Sequence, residues 1–305
     1  MEILNPEETR RRLPFDLLAH ALAEMLRAAK AGRAHAPERL HLALPEGGVL
    51  LVMPASDQEV AMVKTVTVHP DNPGKGLPAI QGETLAMDAA TGTRLGQMDG
   101  GAATSRRTAA LSLLAARLLA RDRKGPLLCV GAGAQAAAHC QAFFEAFGVK
   151  RFFICARSLN NAARLAATLS QMGASAAAIE TPEDVLDQCP LIVTATTSRA
   201  PVISEAVRED AFVAAVGAFT PAMAELPPAL VRRAAVYVDD LAGARSEAGD
   251  LIQADVEWER VIPLADVVDH PPAKTLGPVI FKSVGQALFD LAAARLAFAG
   301  ITGRA

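Results

Sequence analysis

An apolar run, Leu127-Leu128-Cys129-Val130, stops at Gly131-Ala132-Gly133-Ala134-Gln135-Ala136, and a helical pattern then leads to a second apolar run, Phe152-Phe153-Ile154-Cys155. Strand, Gly-x-Gly-x-x-Ala turn, helix and strand within about 30 residues predict the opening βαβ unit of a parallel, doubly wound sheet. Gly131 permits the tight turn. Gly133 lets backbone N–H groups approach a pyrophosphate at the positive end of the helix. The pattern reads as a dinucleotide-binding turn, with a purely structural βα turn as the alternative. The tip of the second strand reads Ala156-Arg157-Ser158, where an acid for a ribose diol would stand in an NAD-binding unit. Arg157 and Ser158 suit a 2′-phosphate, which favours NADP(H) with NAD(H) tolerated; the alternative is a solvated loop cation.

Composition narrows the partners. A chain of 305 residues has room for two domains, and its net charge of −3 argues against nucleic acid or an anionic membrane as the main partner. No apolar run reaches the roughly 18 residues that cross a bilayer. The acidic start, Met1-Glu2-Ile3-Leu4-Asn5-Pro6-Glu7-Glu8, does not read as a signal peptide. Cys129, Cys140, Cys155 and Cys189 lack metal-ligand spacing and read as core residues in a reducing, cytoplasmic compartment. The six histidines are scattered, so no metal is expected.

The N-terminal third reads as an antiparallel α+β unit. A helix is predicted over 14–31, a hairpin over 40–53 around Pro45-Glu46-Gly47-Gly48, a strand over 60–68 and a second hairpin over 83–98. A helix over 103–121 leads into the nucleotide-binding part. There, short apolar runs alternate with helices through residue 238, and Thr181-Pro182 is read as a helix cap. A last helix over 283–298 is placed back against the N-terminal part. The expected domains are 1–115, with 285–305 returning, and 116–284.

Three cations stand beside apolar strands or helix starts: Arg39, Lys64 and Arg107. Alternation over Val60 to Val68 puts Lys64 on the face of Met62 and Val66, where a lysine is costly without an anion. Converging on one cleft, the trio would clamp a carboxylate. From spacing alone, surface cations with a snorkelling lysine fit as well.

The runs Lys64-Thr65-Val66-Thr67-Val68-His69-Pro70-Asp71-Asn72, Gly76 to Gly82 and Arg107-Thr108-Ala109-Ala110 resemble the ornithine cyclodeaminase/mu-crystallin family. So do Gly131 to Gln135, Val216-Gly217-Ala218, Glu247-Ala248-Gly249-Asp250 and Phe281-Lys282-Ser283-Val284-Gly285. The resemblance covers nearly the whole chain. It implies a homodimer with a Rossmann-type doubly wound parallel sheet and an α+β substrate-binding and dimerisation domain. It further implies that Arg39, Lys64 and Arg107 serve the substrate carboxylate and catalysis. Gly131, Gly133, Ala134, Gln135, Arg157, Ser158, Thr196, Val216, Gly217, Ala218 and Ser283 would then bind the cofactor, and Val284 would lie near the nicotinamide.

Two departures matter. Phe219 follows Val216-Gly217-Ala218 where cyclodeaminases carry an Asp for the ornithine amine, and Ala79 replaces a frequent Thr. An ornithine ammonium would face a phenyl ring, whereas a cyclic imine acid suits an apolar wall. The resemblance is therefore strongest to the Δ1-pyrroline-2-carboxylate reductase branch. It implies NAD(P)H-dependent reduction of Δ1-pyrroline-2-carboxylate, or Δ1-piperideine-2-carboxylate, to L-proline or L-pipecolate. The alternatives are ornithine cyclodeamination with NAD, with Glu83 or Asp99 replacing the missing acid; an amino-acid or opine-type dehydrogenase; and a mu-crystallin-like NADPH and ligand binder without turnover.

Overall fold

The computed structural model describes residues 1–69, 71–273 and 277–300. The chain divides into two compact units, Met1–Arg107 with Gln286–Ala305, and Thr108–Gly285. The last five residues of the returning segment lie outside the described residues, as does Pro70.

The first unit contains β1 (Glu2–Leu4), α1 (Pro6–Arg12), α2 (Phe15–Lys30), β2 (Leu40–Ala43), β3 (Val49–Ser56), β4 (Val60–Val68), β5 (Ile80–Asp88) and β6 (Arg94–Asp99). It ends in the first turns of α3 (Gly100–Leu119). The six strands run in the order β1-β6-β5-β4-β3-β2, antiparallel except that β1 lies parallel to β6. β1 and α1 were not predicted. β1 has only three residues, too few for alternation to register. α1 is short but fully capped, with Asn5 and Glu8 forming a reciprocal capping box.

In the second unit come β7 (Leu127–Val130), α4 (Ala134–Phe147), β8 (Arg151–Cys155), α5 (Leu159–Gln171), β9 (Ser175–Ile179), β10 (Leu191–Thr194) and β11 (Phe212–Ala215). They are followed by α6 (Pro228–Arg233), β12 (Ala235–Val238), α7 (Leu241–Glu247), α8 (Gly249–Gln253), β13 (Ile262–Pro263) and β14 (Val279–Lys282). The sheet is parallel throughout, ordered β13-β12-β14-β11-β10-β7-β8-β9. β7, β10, β11 and β14 are buried along their whole length, which is why they are almost entirely apolar, with Thr194 ending β10 and Lys282 ending β14. The strand order reverses between β7 and β10, the place where open α/β sheets bind ligands.

The chain then returns to the first unit as α9 (Ala287–Phe298), which packs on α2 and on β3 to β6. It is buried almost all round, and Gly96 leaves room for the Phe298 ring. Two expectations are corrected. The last helix begins at Ala287 rather than Ser283, because Ser283 to Gly285 are bound by Asp239 and Gly285 has φ +80°. Thr181 caps no helix: only a three-residue 3₁₀ turn follows, and the Thr181 side chain makes no capping bond.

Candidate functional site

In the first unit, β4 alternates buried and half-buried residues, and this turns Lys64 inward with Met62 and Val66. Lys64 is 3% exposed. Its ammonium donates to Thr104 Oγ1 on α3 at 2.6 Å and to Asp290 Oδ1 on α9 at 3.0 Å. Arg107, also buried, brings its Nε within 3.5 Å of the same Asp290 oxygen, an ion pair without an aligned hydrogen bond. Its guanidinium stands over the Phe289 ring at 6.0 Å. Arg39 lies before β2 and is half-buried, close enough for its charge to act on Lys64.

Burial pushes the Lys64 ammonium down to about 8. Asp290 opposes that shift, and Arg107 and Arg39 add to it. Two buried cations, Lys64 and Arg107, therefore share one carboxylate, so these three side chains carry a net positive charge in a water-poor place. Asp290 Oδ2 is buried and accepts no hydrogen bond. Such a cluster is completed by an anion, and a lysine titrating near 8 can give up a proton. Asp290 is the residue that sequence reasoning missed. Its one signal was an acid at the fourth position of the otherwise apolar run Ala287-Leu288-Phe289-Asp290-Leu291-Ala292.

The glycine turn of the second unit has the expected form. Gly131 takes φ +126°, and a Cβ there would stand 2.5 Å from the Ala195 carbonyl oxygen. At Gly133 a Cβ would meet nothing within 4 Å, so the approach to the start of α4 is open. Gly133 is the N-cap of α4 and supplies no side-chain acceptor to the first turn. Gln135 carries a buried side-chain oxygen without a partner at the same turn. The backbone N–H groups that open α4 at Gly133, Ala134 and Gln135 fit a dinucleotide pyrophosphate, whereas the Gln135 side-chain oxygen is an acceptor and does not face one. Arg157 is exposed at the tip of β8, and Ser158 caps α5 by accepting from the Asn161 N–H at 3.4 Å.

Two buried carboxylates hold the remaining predicted cofactor residues. Glu225 accepts from Thr196 and from the N–H groups of Gly217 and Ala218, next to Val216. Asp239 accepts the Ser283 hydroxyl at 2.6 Å and the N–H groups of Val284 and Gly285. Ser283 Oγ–H is thus spent on the fold. Phe219, 40% exposed, follows the fully buried Ala218. Among the described residues no group of three or more His, Cys, Asp or Glu side chains could hold a metal ion, and no helix is long and apolar enough to cross a membrane.

The family model for ornithine cyclodeaminase/mu-crystallin proteins matches residues 2–303. The chain belongs to the ornithine cyclodeaminase/mu-crystallin family. Within that family it is 39% identical over 295 residues to a Δ1-pyrroline-2-carboxylate/Δ1-piperideine-2-carboxylate reductase of Azospirillum brasilense, covering 97% of this chain and 94% of the relative. It superposes with TM-score 0.91 and 26% identity on Thermococcus litoralis Δ1-pyrroline-2-carboxylate reductase in complex with NADH and L-proline, covering 98% and 97% of the two chains. An archaeal alanine dehydrogenase dimer with bound NAD gives TM-score 0.89 and 28% identity, covering 98% and 95%. The family's fold is thus present along the described chain, with a parallel doubly wound sheet in one unit and a mainly antiparallel sheet in the other.

Proposed function

We propose that this protein is an NAD(P)H-dependent reductase of cyclic imine acids, converting Δ1-pyrroline-2-carboxylate, and its six-membered homologue Δ1-piperideine-2-carboxylate, to L-proline and L-pipecolate. The observation that carries this reading is the buried cluster of Lys64, Arg107 and Asp290, with excess positive charge and a lysine titrating near 8. Arg39 and Arg107 bind the substrate carboxylate. The reduced cofactor supplies the hydride for the C=N carbon when bound. Lys64 gives its proton to the ring nitrogen, so imine, hydride and proton sum to the secondary amine. Asp290 keeps Lys64 protonated and in place.

Gly131, Gly133, Ala134 and Gln135 hold the pyrophosphate, and Thr196, Val216, Gly217, Ala218 and Ser283 line the nicotinamide end. Arg157 and Ser158 take the 2′-phosphate, which makes NADP(H) the preferred cofactor: the arginine is exposed, and the serine hydroxyl can donate while its oxygen caps α5. Phe219 and Val284 give the ring apolar contact. A homodimer is supported by the face of the six-stranded sheet opposite α9. Leu40, Leu42, Leu50, Val52, Val63 and Leu85 share that face by register and stay exposed or half-buried. Four free, buried cysteines fit a reducing, cytoplasmic compartment.

Paired assays test the reading: NADPH oxidation with the cyclic imine, and ammonia release from L-ornithine. Imine-dependent oxidation without ammonia supports it. Ammonia release at a comparable rate makes it a cyclodeaminase.

A further inference from the structure

Among the ionisable side chains buried in the second unit, three are linked to one another and have no task in the clamp or the glycine turn. Glu225 and Lys282 are 0% exposed and Asp250 is 1% exposed. Lys282, the last residue of β14, places its ammonium 2.8 Å from Asp250 Oδ2. Asp250 Oδ1 accepts the backbone N–H groups of Glu225 at 2.5 Å and Leu226 at 2.9 Å. The Glu225 carboxylate in turn divides between two loops. Its Oε1 accepts Thr196 N–H at 2.6 Å and Thr196 Oγ1–H at 2.9 Å, just after β10. Its Oε2 accepts Gly217 N–H at 2.7 Å and Ala218 N–H at 3.2 Å, just after β11.

Three of the four partners are backbone N–H groups, which can only donate, and the fourth is the Thr196 hydroxyl, so the arrangement suits an ionised carboxylate. Burial pushes the Glu225 carboxyl up, and the Lys282 charge and the Thr196 donors oppose that shift. The approach is close by construction: a Cβ on Gly217 would collide with the Thr196 backbone and with Glu225 Oε1. Because peptide groups are trans and planar, N–H groups turned to Glu225 send the Val216 and Gly217 carbonyls the opposite way. Those carbonyls are acceptors suited to a primary carboxamide.

We propose that Glu225 is a positioning residue, locking the loops after β10 and β11 into one platform that presents the Val216 and Gly217 carbonyls to the carboxamide of the nicotinamide ring. Asp250 and Lys282 hold Glu225 from beneath. The inference rests on the reading that this unit binds a dinucleotide.

Binding of two probes to the full-length protein tests it, NADPH and 2′-phospho-ADP-ribose, which shares everything but the nicotinamide ring. Glu225→Gln keeps the shape, and turns two accepting positions into an NH₂ that faces donors. It is expected to weaken NADPH binding by about tenfold or more while leaving 2′-phospho-ADP-ribose within about twofold. Should that variant fail to fold, Thr196→Val, which removes one donor, is expected to weaken NADPH about threefold with the same selectivity. Equal weakening of both probes, or of neither, overturns the assignment. A wild-type protein that binds neither these probes nor NADH overturns the dinucleotide reading and this inference with it; where only NADH binds, NADH and ADP-ribose serve as the pair of probes with the same expected outcome.

Discussion

Lys64 Nζ lies 3.0 Å from Asp290 Oδ1 with both side chains buried, one on β4 and the other on α9, 226 residues apart in sequence. A buried ion pair is weak evidence for stability, since desolvation consumes much of the attraction. Here Arg107 adds a second positive charge beside the one carboxylate, an imbalance that suits the proposed role in binding an anion.

Lys64→Met and Arg107→Met are each expected to lower kcat/KM for the cyclic imine by about a hundredfold or more, roughly 2.7 kcal/mol. NADPH binding and the unfolding transition remain close to wild type. A variant with near-normal turnover removes that residue from the clamp.

Asp290 sets the pH profile. Lys64 loses its proton as pH rises through about 8, so kcat/KM falls above that pH. Asp290 raises the Lys64 pKa, and Asp290→Asn takes that support away. The alkaline limb then moves to lower pH, by about one unit. An unmoved limb contradicts proton donation by Lys64. The same shift has a sign for stability: between about 8 and 10.5 the unfolded chain binds a proton that the folded chain lacks, so the Lys64 contribution grows with pH there.

Much of this was legible in the sequence because it is local. Gly131 must be glycine for a turn written within five residues, and alternation along β4 alone turns Lys64 inward. Asp290 was not legible as its partner, because α9 reaches β4 only by tertiary packing. Glu225 was hidden for the same reason: its ligands, Thr196 and Gly217, follow two different strands. Thr181-Pro182 misled because a good local start signal was followed by no helix. Local propensity yielded there to the packing of the chain around it.

Under the proposed cofactor assignment, Arg157→Asp exchanges a charge-assisted contact to a 2′-phosphate for a repulsion. The KM for NADPH is expected to rise by an amount on the order of 2 kcal/mol, with NADH little affected or improved. An unchanged NADPH/NADH ratio assigns cofactor selection elsewhere.

Phe219→Asp replaces an apolar wall by a carboxylate. Imine reduction should weaken, chiefly in KM, and weak ornithine affinity can appear by pairing with its side-chain ammonium. Full retention of imine KM removes Phe219 from the substrate wall.

Transfer of deuterium from NADPH labelled at nicotinamide C4 tests the central claim most directly. Incubated with Δ1-pyrroline-2-carboxylate, the wild-type protein is expected to yield L-proline carrying deuterium at Cα, in step with cofactor oxidation. Labelled cofactor that stays unoxidised, or L-proline formed without the label, contradicts the account.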